Sequence, residues 1–394
     1  MKKQSQIAIV GAGPAGTSLA IRLAMNGFSP VLIERERFPR HKLCGEFISP
    51  ECLAHFTDLG VSDSMLSAGG DHIFETRFYE PGGRNAGVPS SWFGSGFALS
   101  LSRAQMDLKL LERAKDLGVE VLEETNAVGL TNHPHGIHAI KVRNNKGKSS
   151  EIMADLIIDA TGRARIISKL IEKDSGHFIQ KPGMHRNALV GFKNHLQNVD
   201  IEKGRCEIYF FRGGYGGLSC IEDGLANHCF LIRSEIVREF NGDPDKLIEQ
   251  VIFRNKRAFE TMKNSTPVTK WLAVSVDSFG AKDLSPGPGI LAVGDAAAFI
   301  DPFTGSGMLL ALESAEILAD CILRHKKSVA ISAAYHRLHK QRFASRLRIS
   351  SMLRGFAFKP FFAKSAISIL GFNDLSRELL ARATRQSLRF RENK

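Results

Sequence analysis

Gly11, Gly13 and Gly16 stand in the spacing G-x-G-x-x-G directly after the apolar run Ile7–Val10. Each position has a physical role in a turn that grips phosphate. Gly11 permits the tight turn, Gly13 lets backbone approach a pyrophosphate, and Gly16 lets helix and strand pack closely. The following helix start, around Ala15, offers free N–H groups and the positive end of its dipole. A second apolar run, Pro30–Ile33, ends in Glu34 and Arg35. An acid at that distance from the glycines can hold the ribose hydroxyls of an adenosine. The pattern predicts dinucleotide binding. The competing reading is an ordinary strand–turn–helix with the same glycines.

Two further strand ends carry the same kind of signal. Ile152–Ile158 reads as one strand ending in Asp159-Ala-Thr-Gly162-Arg163, and Gly289–Val293 as another ending in Gly294-Asp295. Beyond Asp295 come Pro302 and Gly305-Ser-Gly307, then an apolar helix from Met308 to about Leu323. Asp295 can accept hydrogen bonds from sugar-like hydroxyls, or can serve as a helix cap. A positive helix start suits a reduced flavin, whose N1–C2=O edge is negatively charged. In a parallel sheet the carboxyl ends of strands share one rim, where a long dinucleotide would span these sites.

The loop after Glu34 is basic and holds Lys42-Leu-Cys44-Gly45-Glu46, then Ser49-Pro50. A free thiol titrates near 8.5 and can donate a proton at neutral pH. Glu46 is the competing donor, and a plain solvated connection is the alternative to both.

These residues need elements to position them. A helix from Ser102-Arg103 to Leu117 is expected, capped by Ser102. Residues 71–101 alternate apolar and polar types between glycine and proline breaks, as antiparallel strands do. Strands are expected at Val119–Leu122, Ala127–Leu130 and Ile137–Val142. From about Gly183 to Phe279 short strands recur, with one helical stretch near Pro244–Thr261. The end of the chain, from Tyr335, reads as helical and basic.

Composition narrows the class. The chain has 394 residues, more than one ordinary core, with 43% hydrophobic and 24% charged residues, as in a normal globular protein. Its six cysteines show no C-x-x-C pair or zinc spacing, so reduced thiols in a cytoplasmic setting and no metal site are expected. Met1-Lys-Lys is followed by an apolar run too short for an export signal, and no stretch reads as a membrane span. The net charge of +12 raises nucleic acid as a partner, yet no binding signature is present and only four Tyr and two Trp offer stacking. Anionic cofactors, an acidic substrate or a membrane surface account for the charge equally well.

Gly11-x-Gly13-x-x-Gly16, Asp159-Ala-Thr-Gly162 and Gly294-Asp295…Pro302…Gly305-Ser-Gly307 together resemble the three signatures of the FAD-dependent group A flavoprotein monooxygenases. That superfamily includes geranylgeranyl reductases and flavin-dependent halogenases. The resemblance covers about residues 5–345 and implies an α/β fold: a Rossmann-like FAD-binding domain interleaved with an antiparallel-sheet, α+β substrate domain. The FAD domain is expected at 1–70, 103–175 and 281–345, the substrate domain at 71–102 and 176–280, and a basic helical tail at 346–394. Gly11, Gly13, Ala15, Gly16, Glu34 and Arg35 would hold the ADP half. Arg103 matches the helix-start arginine near the cofactor. Asp159 and Gly162 are tied to FAD and the NAD(P)H approach. Asp295 would bind the ribityl chain, with Pro302, Gly305, Gly307 and Met308 beneath the flavin ring.

Lys42-x-Cys44-Gly45-Glu46 is similar to the K-x-C-G loop of geranylgeranyl reductases, which faces the flavin and makes Cys44 and Glu46 the candidate catalytic residues. Gly214-Tyr215-Gly216-Gly217-Leu218 resembles their G-Y-x-W-x-F-P substrate segment, but Gly217 replaces the tryptophan and Ser219-Cys220 the Phe-Pro. The halogenase W-x-W-x-I-P signature is absent. The resemblance therefore implies an FAD enzyme reduced by NAD(P)H and acting on a hydrophobic small molecule, by hydride transfer to C=C or by hydroxylation with O₂. A flavin-binding protein without turnover is the alternative, separated by substrate-stimulated NAD(P)H oxidation. The tail, with Lys359, Lys364 and Arg377 among Phe356, Phe361 and Phe362, reads as a helical lid or as a membrane-surface segment at the inner face, which flotation with anionic liposomes separates.

Overall fold

The structure, a computed structural model, describes residues 2–4, 7–133, 136–174, 188–276, 279–357 and 378. The aromatic and basic tail residues from 358 onward, Glu378 apart, lie outside the described residues.

The buried run Ile7–Val10 is the middle strand of a five-stranded parallel sheet, ordered Ile290–Ala292, Leu156–Asp159, Ile7–Val10, Val31–Ile33, Glu120–Leu122. Its residues are buried throughout, as expected of a strand covered on both faces. Register decides what the sheet presents. Val10 pairs with Asp159 and with Ile33, and Asp159 pairs with Ala292. Gly11, Glu34, Asp159 and Gly294-Asp295 therefore follow one another along a single carboxyl-end rim.

Helix Pro14–Met25 begins with a proline, whose fixed φ and missing N–H suit a first turn. It packs beside Gly307–Arg324 and Arg103–Asp116 on one face of the sheet, around buried Leu19, Leu309 and Leu110. Ser102 caps the last of these, its Oγ accepting the Gln105 N–H at 3.1 Å. A meander of Thr125–His133, Gly136–Asn144 and Ser149–Met153 covers the other face. The expected strand Ile152–Ile158 is thus two strands in two sheets, broken at Ala154-Asp155 where the chain crosses between layers.

A second, eight-stranded sheet runs Thr266–Pro267, Leu189–Gln197, Ala226–Arg233, Gly214–Cys220, Arg205–Phe211, Glu75–Tyr79, Asn85–Pro89, with Leu272–Val276 also paired to Leu189–Gln197. It is antiparallel except that Arg205–Phe211 and Glu75–Tyr79 run parallel. One face packs on helices that divide the expected stretch near Pro244–Thr261 into Pro244–Gln250 and Lys256–Met262, preceded by Ser234–Glu239. Asn255 forces the division, its side chain accepting the N–H groups of Arg257 and Ala258 as a new cap. The other face meets Phe299 and Phe303 from the loop beyond Asp295. Asp71–Ile73, Ala98–Ser100 and Phe47–Ile48 form a small sheet of their own, where the chain passes between the two large ones. Helix Ser328–Ala357, which begins seven residues before the expected Tyr335, returns along Gly307–Arg324, and the Tyr335 hydroxyl donates to the Ala292 carbonyl at 2.9 Å.

Candidate active site

The glycines differ in what holds them. A Cβ on Gly11 would lie 2.4 Å from the Ala160 carbonyl oxygen, and the residue has φ +105°. On Gly16 it would lie 1.9 Å from the Gly11 oxygen. Both are fixed by the protein's own backbone. Gly13 is not: its Cβ would meet only Arg103 Nη2, at 4.0 Å, across open space. Ala15 is buried and packs against Gly294, where a Cβ would come within 2.7 Å. The turn and the Gly294-Asp295 strand end thus interlock.

Glu34 is buried beside the turn and accepts the N–H groups of Ala12 at 2.8 Å and Glu36 at 3.0 Å. Arg40 reaches it at 3.6 Å and also donates to Asp107 at 3.0 Å. Asp107 in turn takes both Nε and Nη2 of Arg103, at 2.9 and 2.7 Å. Neither Arg40 nor Asp107 belongs to a recognisable motif, although Arg40 sits in the basic loop after Glu34. Arg35 points to solvent and pairs with Glu36 at 3.3 Å, so its side chain is not part of the cradle.

Asp159 is fully buried and its lone pairs are used internally. It accepts from the N–H of Thr161 at 3.1 Å and from that residue's hydroxyl, and from the N–H and hydroxyl of Ser168 at 3.2 and 3.3 Å. Its expected contact with a cofactor is therefore corrected: it shapes the loop that presents Gly162. Gly162, with φ +66°, would bring a Cβ to 4.0 Å from Asp295 Cβ. Asp295 is half-buried, and among the described residues its carboxylate has no hydrogen-bond partner. Burial pushes its carboxyl up to about 6, against the pull of Arg163 and Arg103.

Beyond it, Asp301 caps the turn Pro302–Thr304 and accepts the Tyr215 hydroxyl at 2.8 Å. Pro302 is exposed at the start of that turn, Gly305 ends it at φ +61°, and Ser306 precedes helix Gly307–Arg324, with Met308 half-buried in its first turn. Around Gly307 a Cβ would meet only Ile300, at 4.0 Å.

The Cys44 loop lies between the two sheets. Leu43 packs on Gly191, and the Asn227 side chain donates to the Cys44 carbonyl at 3.2 Å. The Arg103 guanidinium reaches the Cys44 sulfur. Strand pairing sets Gly217 beside Cys229 and Ile208 on the sheet face that meets Phe303. Tyr215 is a buried wall of that face, its ring edge-on to Phe303 at 5.3 Å. Glu46 is fully buried. Burial alone would raise its carboxyl, but the His195 hydrogen bond and the Lys193 charge hold it below the usual value. An ionised, enclosed carboxylate has no proton to give, which corrects the expectation of Glu46 as a donor.

The residues fit a flavin dinucleotide. Gly13 has open space above it, Glu34 is a buried carboxylate beside the turn, and the Asp295 carboxylate has no hydrogen-bond partner among the described residues, a set suited to phosphate and sugar hydroxyls. Residues 4–345 match the family described as FAD binding domain. The chain belongs to that family. Among its relatives, digeranylgeranylglycerophospholipid reductase of Methanosarcina acetivorans is 26% identical over 328 residues, covering 81% of this chain and 75% of the relative. Tryptophan 2-halogenase of Chondromyces crocatus is 25% identical over 337 residues, 81% of this chain and 61% of the relative. In fold, the chain is similar to a geranylgeranyl bacteriochlorophyll reductase-like protein from Thermoplasma acidophilum (TM-score 0.78, 20% identity, 97% and 96% of the two chains covered). A flavin-dependent brominase aligns with TM-score 0.79 at 18% identity, with 97% and 94% covered. The protein is an FAD-dependent oxidoreductase with the fold these structures share. Among the described residues, no helix is long and apolar enough to cross a membrane.

Proposed function

We propose that the enzyme draws on NAD(P)H to reduce a C=C bond in a hydrophobic, isoprenoid-like small molecule. The observation that carries this reading is the position of Cys44. Cys44 is half-buried, its carbonyl held by Asn227, two residues from Cys229 on the apolar sheet face, and its sulfur interacts with Arg103 at the rim, so a group between the two sheets has a proton source beside it. FAD, when bound, supplies hydride transfer. The chain's own residues do the rest. The Gly13 turn and Glu34 anchor the dinucleotide, Asp295 orients it, and Phe303, Tyr215 and Ile208 make an apolar wall that excludes water from the group being reduced. The curated relatives named as digeranylgeranylglycerophospholipid reductases point the same way.

The change of tryptophan to Gly217, together with the halogenase and brominase likenesses, favours a second reading: oxidation of an aromatic or hydrophobic metabolite with O₂. One experiment separates them. Wild type and Cys44→Ser are incubated with NAD(P)H and a panel of polyprenyl and aromatic compounds, with and without O₂, and products are weighed. Reduction predicts a mass gain of two hydrogens without O₂, and a loss of about 10²-fold in product for Cys44→Ser with FAD content kept, the scale of general acid catalysis. A product that carries oxygen from O₂, or one formed at full rate by Cys44→Ser, removes the reductase reading.

A further inference from the structure

One buried ionic cluster beside the rim has no part in the scheme above. Glu46, at φ +53°, accepts from the Arg103 N–H at 2.7 Å, from Lys193 Nζ, and from His195 Nε2 at 2.8 Å. Because the carboxylate is ionised, that imidazole nitrogen carries the proton. Lys193 also donates to the Lys42 carbonyl at 3.1 Å. Lys193 and His195 are 2% and 3% exposed, on alternate residues of one strand. Charged groups are seldom so enclosed, and an apolar cluster of equal volume would hold the sheets together as well. Stability alone does not account for the choice of residues.

The cluster touches the thiol. Glu46 donates its own N–H to Cys44 Sγ at 3.4 Å, and Arg103, fixed by Glu46 through its N–H, reaches the same sulfur. Lys193 is the cross-strand partner of Cys229, whose thiol the Cys44, Lys193 and Glu46 charges all act on. We propose that the buried Glu46–Lys193 ion pair, backed by His195, is a positioning device for Cys44: it fixes the loop and sets the charge that the sulfur experiences. This rests on Cys44 being the cleft thiol, but the test below needs no turnover, so its failure and that of the reductase reading are distinguishable.

The groups facing the sulfur make the prediction signed. Arg103 is neutralised by Asp107. Around that loop, Lys193, His195, Glu46 and Glu222 act on His41, and Cys44, Lys193, Glu46 and Arg163 act on Cys229 across from it. Glu46 and Lys193 cancel one another. Removing one leaves a net unit charge close to the thiol, and the thiolate is the reactive form. The measurement is the rate of iodoacetamide alkylation of Cys44 in the FAD-loaded protein at fixed pH, read by mass spectrometry of its peptide. Glu46→Gln leaves Lys193 unopposed and should speed alkylation by about tenfold; Lys193→Met leaves Glu46 unopposed and should slow it by about tenfold, the scale of a neighbouring charge. Lys193→Arg, which keeps both charge and pairing, should stay within about twofold of the parent, and the charge-balanced double variant Glu46→Gln/Lys193→Met, which restores neutrality without the tie, should fall between the two single variants. They also decide the matter if a single variant does not fold. A cluster that only packs would loosen in both single variants and speed alkylation in both. That same-sign result, an unchanged rate in both, or a tenfold change in Lys193→Arg would overturn the proposal.

Discussion

At the scale of single residues, Asp295 shows how a site can be legible in the energetics of a ligand-free chain. Its carboxyl lies at about 6 because burial penalises the charged form and no donor compensates. An acid raised above its unfolded value of about 3.9 binds more protons in the fold. Its effect on stability is therefore favourable below about pH 4 and is lost as pH rises to about 6. Asp295→Asn removes that loss. Apoprotein carrying the change should melt higher than the parent above pH 6, and the two should converge below pH 4. FAD affinity should move the opposite way, weakening by about 1–2 kcal/mol, the difference between charged and neutral acceptors. Calorimetry across pH and a flavin titration check both halves. A variant that neither gains apoprotein stability nor loses FAD would make Asp295 a plain turn residue.

At the scale of elements, the strand–turn–helix Ile7–Met25 separates residues that build the fold from residues that leave room. Gly16→Ala places a methyl 1.9 Å from a backbone oxygen, so helix and turn must part and the protein should lose several kcal/mol, about the cost of overpacking or more. Gly13 has φ −78° and ψ −178°, ordinary extended backbone, with nothing close to its Cβ direction. Gly13→Val should therefore fold with an unchanged melting temperature when apo, yet fail to bind FAD. If Gly13→Val unfolds, or still binds FAD at full strength, the open space above Gly13 is not the phosphate seat. This element was legible in the sequence because its determinants are local: a turn glycine, an apolar run and an acid all lie within Ile7–Glu34. The break at Ala154-Asp155 was not, because an apolar run reads alike whether it lies in one sheet or crosses between two. Nor was the Glu46 cluster, whose partners lie 147 and 149 residues away. Its one local signal was the polar run Lys193-Asn194-His195 inside a strand that begins and continues apolar, Leu189–Phe192 and Leu196. Tyr215 stood out in the sequence as a candidate substrate residue, but its tie to Asp301, 86 residues distant, did not.

At the scale of the whole molecule, those long-range contacts join the half built on the parallel sheet, which carries the proposed FAD residues, to the eight-stranded sheet. Among the described residues these ties include Glu46 to Lys193 and His195, Lys42 to Lys193, Cys44 to Asn227, Ser102 to Glu222, Tyr215 to Asp301, and the packing of Phe299 and Phe303. A ligand that binds only folded protein stabilises it by about 2.7 kcal/mol at a hundred times its dissociation constant. Whether the second sheet shares that gain depends on the ties. Trp271 reports on this, since it packs on Phe230 at 5.9 Å within the far core of that sheet and donates to Asp245 at 3.1 Å. With Trp92 replaced by Phe, its fluorescence follows the second sheet alone, while flavin release follows the first. In the parent background the two unfolding midpoints should coincide in denaturant, and added FAD should shift them equally. Adding Tyr215→Phe and Glu46→Gln/Lys193→Met removes the Asp301 tie and the buried ion pair without leaving a buried charge unpaired. The midpoints should then separate, with FAD protecting the flavin-release transition and leaving the Trp271 transition nearly in place. If they still move together, the contacts that remain, the packing of Phe299 and Phe303 on the sheet among them, are sufficient to couple the two halves, and the Glu46 and Tyr215 ties serve the geometry of the cleft.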